Sequence, residues 1–146
     1  MISWKLRQAS RQDHDPVVAL LREAGLVVEG LESAFPEGYV VAESEARIYG
    51  LAGIERYGPH ALLRSVVVAA PLRGQQLGEA LVHDRLAAAA RQGAEDVWLL
   101  TTTADRWFPR FGFERVAREA IPEPLMESEE VSHACPASAV VMRRRA

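Results

Sequence analysis

The chain has 146 residues, 49% hydrophobic and 25% charged, enough for one globular domain with a real core; a disordered tail or fibrous repeat is excluded. Its 17 Lys+Arg against 20 Asp+Glu give a formal net charge of -3, which lacks the basic excess of an electrostatic nucleic-acid binder. A single cysteine, Cys135, excludes an internal disulfide framework, and His14, His60, His83 and His133 stand too far apart for a metal site. The N-terminus lacks a signal-peptide pattern, and no run approaches the roughly 20 apolar residues of a membrane span. A cytoplasmic protein with no nucleic-acid or membrane partner is expected.

Ile2 to Arg7 alternates apolar and polar residues, the period of a half-buried strand. Asp15-Pro16 then reads as an N-cap and first helical residue, Val17, Leu20, Leu21 and Ala24 follow at helical spacing, and Gly25 closes the helix. Residues 30–38 show no clean period and suggest a short helix or loop, whose Phe35 either lines a substrate entrance or belongs to a plain surface loop. Tyr39–Glu43 and Arg47–Arg56 read as a hairpin across Ser44-Glu45-Ala46, with a second turn at Tyr57-Gly58-Pro59. Ala61–Ala69 is a nearly continuous valine-rich run, as in a central strand covered on both faces. Residues 77–90 carry a helical apolar stripe ending at Gly93, and Val97–Leu100 is another buried strand running into Thr101-Thr102-Thr103.

A short helix over Ala104–Arg110 precedes Gly112, and Phe113 opens a further strand. Residues 119–134 form an acidic loop or irregular helix, Ala137–Met142 is the closing strand, and Arg143-Arg144-Arg145 reads as a solvated tail. The order is β-α-(α)-β-β-β-α-β-α-β-β. It predicts an α+β domain spanning 1–146: a mixed six- to seven-stranded sheet, an antiparallel meander plus one parallel, splayed pair, with helices on both faces.

The chemically informative stretch runs from Ser65 to Leu81, where a buried strand ends in a turn containing Arg73 and Gly74 and a helix starts at once. The first amides of that helix lack intrahelical partners and sit at the positive end of its dipole, a ready site for a phosphate. Gly74 and Gly78 permit close backbone approach, and Arg73 adds a fixed cation. Such a turn serves equally well as a plain tight connection. It is neither a P-loop, since the Gly-Lys-Ser/Thr ending is missing, nor a Gly-x-Gly-x-x-Gly fingerprint.

Val68-Ala69-Ala70-Pro71-Leu72-Arg73-Gly74-Gln75-Gln76-Leu77-Gly78 resembles the acetyl-CoA motif of the GCN5-related N-acetyltransferase (GNAT) family, Arg/Gln-x-x-Gly-x-Gly/Ala. Phe108-Pro109-Arg110-Phe111-Gly112-Phe113 is similar to that family's later aromatic helix and Gly-Phe strand start, and the strand order agrees with it. Within the family, Leu99–Ala104 and Cys135–Ala139 most resemble the arsenic resistance N-acetyltransferase-like branch. The resemblance implies an acetyl-CoA-dependent N-acetyltransferase, with no metal, acting on a small, amino-acid-like or toxic amine. Val66, Val67 and Val68 would present main-chain groups to the pantetheine arm, an amide there (Val68 foremost) polarising the thioester carbonyl. Arg73, Gly74, Gln75, Gln76, Leu77, Gly78 and Glu79 would cradle the pyrophosphate, and Ala104, Trp107 and Phe108 would flank the thiol end. Two departures stand out. Gln76 replaces the motif's middle glycine, and Phe108 replaces the tyrosine that usually serves as the acid.

Glu55, near a strand end, is either the general base or an exposed carboxylate. Arg64, interrupting an apolar run, must be paired or face a cleft; it either grips an acidic group of the substrate or forms a structural ion pair. Thr101 and Thr102 are placed for ligand hydroxyl contacts, unless the threonines simply cap the next helix at Thr103. His133 and Cys135 could reach the same cleft, but a lone cysteine suits packing as a small hydrophobe, and that is the reading taken for Cys135. A non-catalytic acyl-CoA sensor and a protein N-acetyltransferase are the alternative readings, and a homodimer through the terminal strands is left open.

Overall fold

The computed structural model describes residues 3–134 and 136–146, and of His133 and Ala134 only the backbone. Among the described residues seven strands form one sheet: β1 (Lys5–Gln8), β2 (Tyr39–Ser44), β3 (Arg47–Tyr57), β4 (His60–Val68), β5 (Asp96–Thr101), β6 (Glu114–Val116) and β7 (Val140–Arg145). Their spatial order is β1-β2-β3-β4-β5-β7-β6, and every neighbouring pair is antiparallel except β4 and β5. Two α-helices, α1 (His14–Glu23) and α2 (Leu77–Arg91), are among the described elements. The mixed sheet with one parallel pair is the one the sequence predicts.

Local chemistry explains the boundaries. Helix α1 starts a residue before Asp15, because the Asp13 carboxylate turns back to accept the Ser10 amide at 2.8 Å and is clamped by both terminal nitrogens of Arg7. The hairpin turn is the two residues Glu45-Ala46, both left-handed (φ 50° and 63°), as a tight turn between twisted strands requires. Residues 104–110 are not a regular helix. They make successive turns that end in a helical turn over Phe108–Phe111, closed by Gly112 at φ 89°. The acidic stretch breaks into short helical turns at Arg118–Ala120, Glu123–Glu127 and Glu130–Ala134.

The closing strand lies three residues later than expected, so the three arginines belong to β7 rather than to a solvated tail. Arg143 donates to Asp96 at 3.4 Å and lies over the Trp98 ring, while Arg144 donates to the Phe111 carbonyl at 2.6 Å. Arg143 and Arg144 each gain a partner that bulk solvent would not supply.

Each face of the sheet carries its own core. On one, Ile54, Ala61, Leu63 and Leu99 pack against Val82, Leu86 and Ala89 of α2, continued by Val40, Ala42 and Ala52 against Leu77 and Leu81. On the other, Tyr39, Val41 and Leu51 pack against Val17 and Leu21 of α1, and Leu62, Trp98 and Val141 against Leu125 and Val131. Phe35 belongs here, edge-on to Tyr39 at 5.6 Å and to His14 at 5.8 Å, and does not line an entrance.

Two irregularities in β4 position the site. Its pairing with β3 slips between Leu51 and Gly53, and Ser65, at φ 61°, is the extra residue of a bulge. The bulge inverts the strand's parity. Ala61 and Leu63 face α2 before it, and Val66 and Val68 face α2 after it. The parallel pairing with β5 covers only His60–Leu62 against Asp96–Trp98, so beyond Leu62 the two strands diverge.

The core beneath the bulge is tight. A Cβ on Gly53 would stand 2.3 Å from the fully buried Tyr39 ring. Gly53→Ala is expected to lower the unfolding free energy by about 1–3 kcal/mol in urea titrations, the usual cost of overpacking.

Candidate acyl-group and cofactor site

The divergence of β4 and β5 opens a cavity of about 470 Å³, walled by Leu63–Val68 on one strand and Leu99–Thr103 on the other. The Ala69 amide bonds the Tyr49 carbonyl on β3, so alternation directs the amides of Val67 and Ala69 toward β3 and those of Val66 and Val68 into the gap. The Val68 carbonyl faces the same way and accepts Arg73 Nε at 3.1 Å. Val67 lines the cavity, but its main-chain groups belong to the β3 ladder.

A second cavity of about 340 Å³ adjoins the first, sharing Val68, Gly78 and Trp107 as wall residues, and lies at the start of α2. The first intrahelical bond of α2 runs from the Ala80 amide to the Gln76 carbonyl at 3.2 Å, so the amides of Leu77, Gly78 and Glu79 precede the helical ladder. The loop into the helix is held open by two left-handed residues, Gly74 (φ 81°) and Gln76 (φ 62°). Gln76 therefore occupies the backbone conformation for which the family motif uses glycine. Gly78 serves close approach instead, since a Cβ there would sit 3.2 Å from the Trp107 indole.

Arg73 and Arg110 flank this second cavity. Arg110 lies over the Trp107 ring at 5.5 Å, donates to its carbonyl at 3.1 Å and approaches Glu79 at 3.9 Å, so that carboxylate is faced by a guanidinium. Of the expected cofactor contacts, Val66, Val67, Val68, Gly78, Ala104, Trp107 and Phe108 line the larger cavity. Arg73, Gly74, Gln76, Leu77 and Glu79 line the smaller. Leu77 offers only main chain, because its side chain is buried in the core. Gln75 lines neither and turns back toward the Pro71 carbonyl.

Phe108 presents a buried phenyl edge-on to Trp107, at 5.0 Å between centroids, where the family motif has a phenol. Thr101 and Thr102 both line the larger cavity. The cap expected at Thr103 is made by Thr101, whose Oγ1 accepts the amides of Thr103 (3.3 Å) and Ala104 (3.0 Å). With two donors already on that oxygen, its own proton is left to be given.

Glu55 is not where sequence reasoning puts it, and of the two readings for Arg64 the structure has the ion pair. Glu55 is neither an exposed strand-end carboxylate nor on the cavity wall. It is 3% exposed and accepts from Tyr57 Oη at 2.9 Å, Ser128 Oγ at 3.3 Å and Arg64 Nη1 at 3.3 Å, which is a poor setting for a base that must meet an incoming amine. Arg64 reaches the cavity wall, but its side chain has no accessible surface. Nε donates to Ser65 Oγ at 3.2 Å, and Nη2 donates to the Val27 and Glu29 carbonyls at 3.1 and 3.0 Å. A guanidinium so engaged is a structural pin and not a grip for a substrate carboxylate. The cluster also explains two shifted phenols: burial and then the Glu55 bond push Tyr57 up to about 12, and burial pushes Tyr39 up to about 12.

Sequence reasoning missed Arg110 and Glu130. Arg110 sits inside the aromatic motif, whereas Glu130, 7% exposed on the cavity wall and 3.8 Å from Arg64 Nε, belongs to an acidic stretch with no local signal. Cys135 and the His133 side chain lie outside the described residues.

An acetyltransferase (GNAT) domain model matches residues 36–115, from before β2 to within β6, and so takes in both cavity-forming strands and α2. The chain belongs to the GNAT acetyltransferase family. By family it is an N-acetyltransferase. This GNAT chain is 27% identical over 147 residues to the uncharacterised protein YwlB of Bacillus subtilis (strain 168), covering 98% of this chain and 97% of that one.

The GNAT fold superposes on N-acetylglutamate synthase from Neisseria gonorrhoeae, complexed with coenzyme A and N-acetyl-glutamate, with a TM-score of 0.81 at 21% identity. That match covers 99% of this chain but only 35% of the synthase chain, so the GNAT chain spans about a third of that protein. It also superposes on Rv2747 from Mycobacterium tuberculosis, in complex with CoA and NLQ, with a TM-score of 0.82 at 18% identity, over 97% of this chain and 99% of that one. Among the described residues no group of His, Cys, Asp and Glu is placed to hold a metal ion, and no helix is long and apolar enough to cross a membrane.

Removing one member of a buried ion cluster strands its partners. Arg64→Met is expected to destabilise the fold by about 3–5 kcal/mol in chemical denaturation. Because Tyr39 and Tyr57 ionise near 12 when folded and near 10 when unfolded, the stability they contribute is complete below pH 10 and is lost as pH rises from 10 through 12. Ultraviolet titration should therefore show two tyrosinates forming only as unfolding sets in.

Proposed function

We propose that this GNAT chain moves an acetyl group from acetyl-CoA directly to the primary amine of a small molecule. One arrangement carries the reading: outward-facing amides of Val66 and Val68 line a gap that opens onto the unladdered amides of α2, with Arg73 and Arg110 beside them. The residues suit the cofactor. A diphosphate needs several N–H donors and one or two cations at a helix start, and a pantetheine arm needs an extended, half-apolar slot with main-chain partners.

Bound there, the cofactor would supply an activated thioester. The chain's own groups do the rest. The α2 amides and Arg73 hold the diphosphate. The Val68 amide, on the wall shared with the α2 cavity, would bond the arm, and the Val66 amide, farther from α2 and nearer the level of Thr101, would polarise the carbonyl whose oxygen gains negative charge as the amine adds. The Thr101 hydroxyl, with its lone pairs occupied, donates toward the sulfur as it leaves. A hydroxyl bond steadies a thiolate but does not replace the proton that a tyrosine would give, so that proton comes from the amine itself. The segments that carry the arsenic-resistance resemblance, Leu99–Ala104 and the stretch ending at Ala139, supply cavity wall. They support an acceptor from among toxic small amines, in keeping with that branch.

A second reading, a non-catalytic acyl-CoA-binding module, is favoured by one observation, the phenyl ring of Phe108 in place of a phenol. Thiol release from acetyl-CoA over an amine panel separates the two. Turnover supports the enzyme, whereas CoA-dependent thermal stabilisation with no thiol released against any amine supports the binding module. For the anchor, Arg73→Ala is expected to weaken CoA binding by roughly 10- to 100-fold in calorimetry, the worth of one charge-assisted contact, with the melting temperature held.

A further inference from the structure

The Val68 carbonyl stands where the two cavities meet, since Val68, Gly78 and Trp107 are walls of both. It points into the gap, and no strand serves it there, because the parallel ladder with β5 ends at Leu62 against Trp98. Its partner is Arg73, whose Nε donates to it at 3.1 Å. A main-chain acceptor of the arm slot is thus occupied by a side chain that lines the phosphate end.

Local structure sets that contact. After β4 the chain makes a single turn, closed by the Leu72 amide on the Ala69 carbonyl at 3.0 Å and the Arg73 amide on the Ala70 carbonyl at 3.2 Å. Leu72 is fully buried with Leu77 and Leu81 of α2, so the base of Arg73 is fixed. Arg73 has extended backbone (φ -66°, ψ 143°), and its exposed side chain folds back five residues to Val68. Among the described residues this is its single side-chain hydrogen bond, and its charge has no carboxylate partner, because Glu79 on the same wall is faced by Arg110. The guanidinium therefore holds a neutral acceptor while its charge stays open to a phosphate. The phosphate is the stronger partner, since bonds between ionised groups are roughly twice as strong as neutral ones.

Resting on the acetyl-CoA reading above, we propose that Arg73 selects the acyl donor by closing the arm slot at Val68 until a phosphate draws it away. A donor that carries phosphate pulls the guanidinium off the carbonyl and brings the arm amide N–H that replaces it. One bond at Val68 is exchanged for another, and a charge pair is gained. A thioester on bare pantetheine brings the N–H but nothing for Arg73. It must displace the guanidinium at the cost of a hydrogen bond or leave its own amide unpaired. The chain therefore takes phosphate-bearing thioesters and discriminates against phosphate-free ones, through an obstacle to the wrong donor as well as an attraction for the right one.

This role differs in sign from that of a phosphate anchor. A pure anchor leaves Arg73→Ala weaker or indifferent toward every fragment of the cofactor. A side chain that also blocks the slot makes the same substitution improve the fragment without phosphate.

Amide NMR titrations of the wild-type protein and Arg73→Ala with CoA, phosphopantetheine and pantetheine test it. The inference expects Arg73→Ala to weaken CoA and phosphopantetheine by roughly tenfold or more, with the melting temperature held. It expects the same substitution to tighten pantetheine about three- to tenfold, the worth of one hydrogen bond freed at Val68, and to improve kcat/KM for S-acetyl-pantetheine by a similar factor. Pantetheine that binds Arg73→Ala no better than the wild type, or that binds neither, overturns it, as does a phosphopantetheine affinity that the substitution leaves unchanged. CoA binding to the wild type is measured first. Its absence sinks the underlying reading, whereas CoA binding with pantetheine unimproved in Arg73→Ala sinks this inference alone.

Discussion

The site depends on one buried guanidinium and the bulge it fixes. Ser65 adopts a left-handed backbone that a non-glycine residue enters at a cost of about 1–2 kcal/mol, and its hydroxyl is held there by Arg64 Nε and Tyr39 Oη. That one residue of slippage reverses the parity of β4, so the amides of Val66 and Val68 leave the β3 ladder and face the gap. The same guanidinium ties the loop after α1 to the sheet through the Val27 and Glu29 carbonyls. Bulge, gap and loop are therefore set together. Gly53 completes the set by leaving room for the Tyr39 ring that reaches Ser65.

The charges are sorted along the cavity system. At the α2 end stand helix amides, Arg73 and Arg110; at the far end stands Glu130, with its neighbouring acid and base folded inward. A long substrate with an anionic end and a neutral acyl end suits the first half. The middle is apolar or main chain, where a thioester can be polarised without a competing charge. Phe108 and Trp107 give that middle an aromatic wall, and the phenyl of Phe108 lacks the hydroxyl that would have delivered a proton.

Much of this was legible because it rests on local chemistry. The valine run of β4, the stripe of α2, the closures at Gly25 and Gly93 and the Arg73–Gly78 turn all follow from periodicity and backbone preference. The parallel crossover followed from a strand–helix–strand order. What was illegible depended on contacts distant in sequence. Ser65 hides its bulge inside an apolar run, since no residue there demands a positive φ. The burial of Arg64 is made by residues 27–29, 55 and 130, and no window of sequence contains them together. Glu130 lay among other acids, and only tertiary folding distinguishes it from the exposed Glu127 and Glu129. The register of β7 was misplaced because arginine looks like solvent until Asp96 and the Trp98 ring are beside it.

The central claim is that the gap between β4 and β5 is the channel for an acyl-CoA arm. The most direct measurement is a two-dimensional amide NMR titration with CoA. The account predicts that the Val66 and Val68 amides move together with those of Gly74 and Leu77–Glu79, along one binding curve. If those amides stay in place while CoA binds elsewhere, or at millimolar CoA nothing moves, the gap is a feature of the fold alone and the channel assignment is wrong.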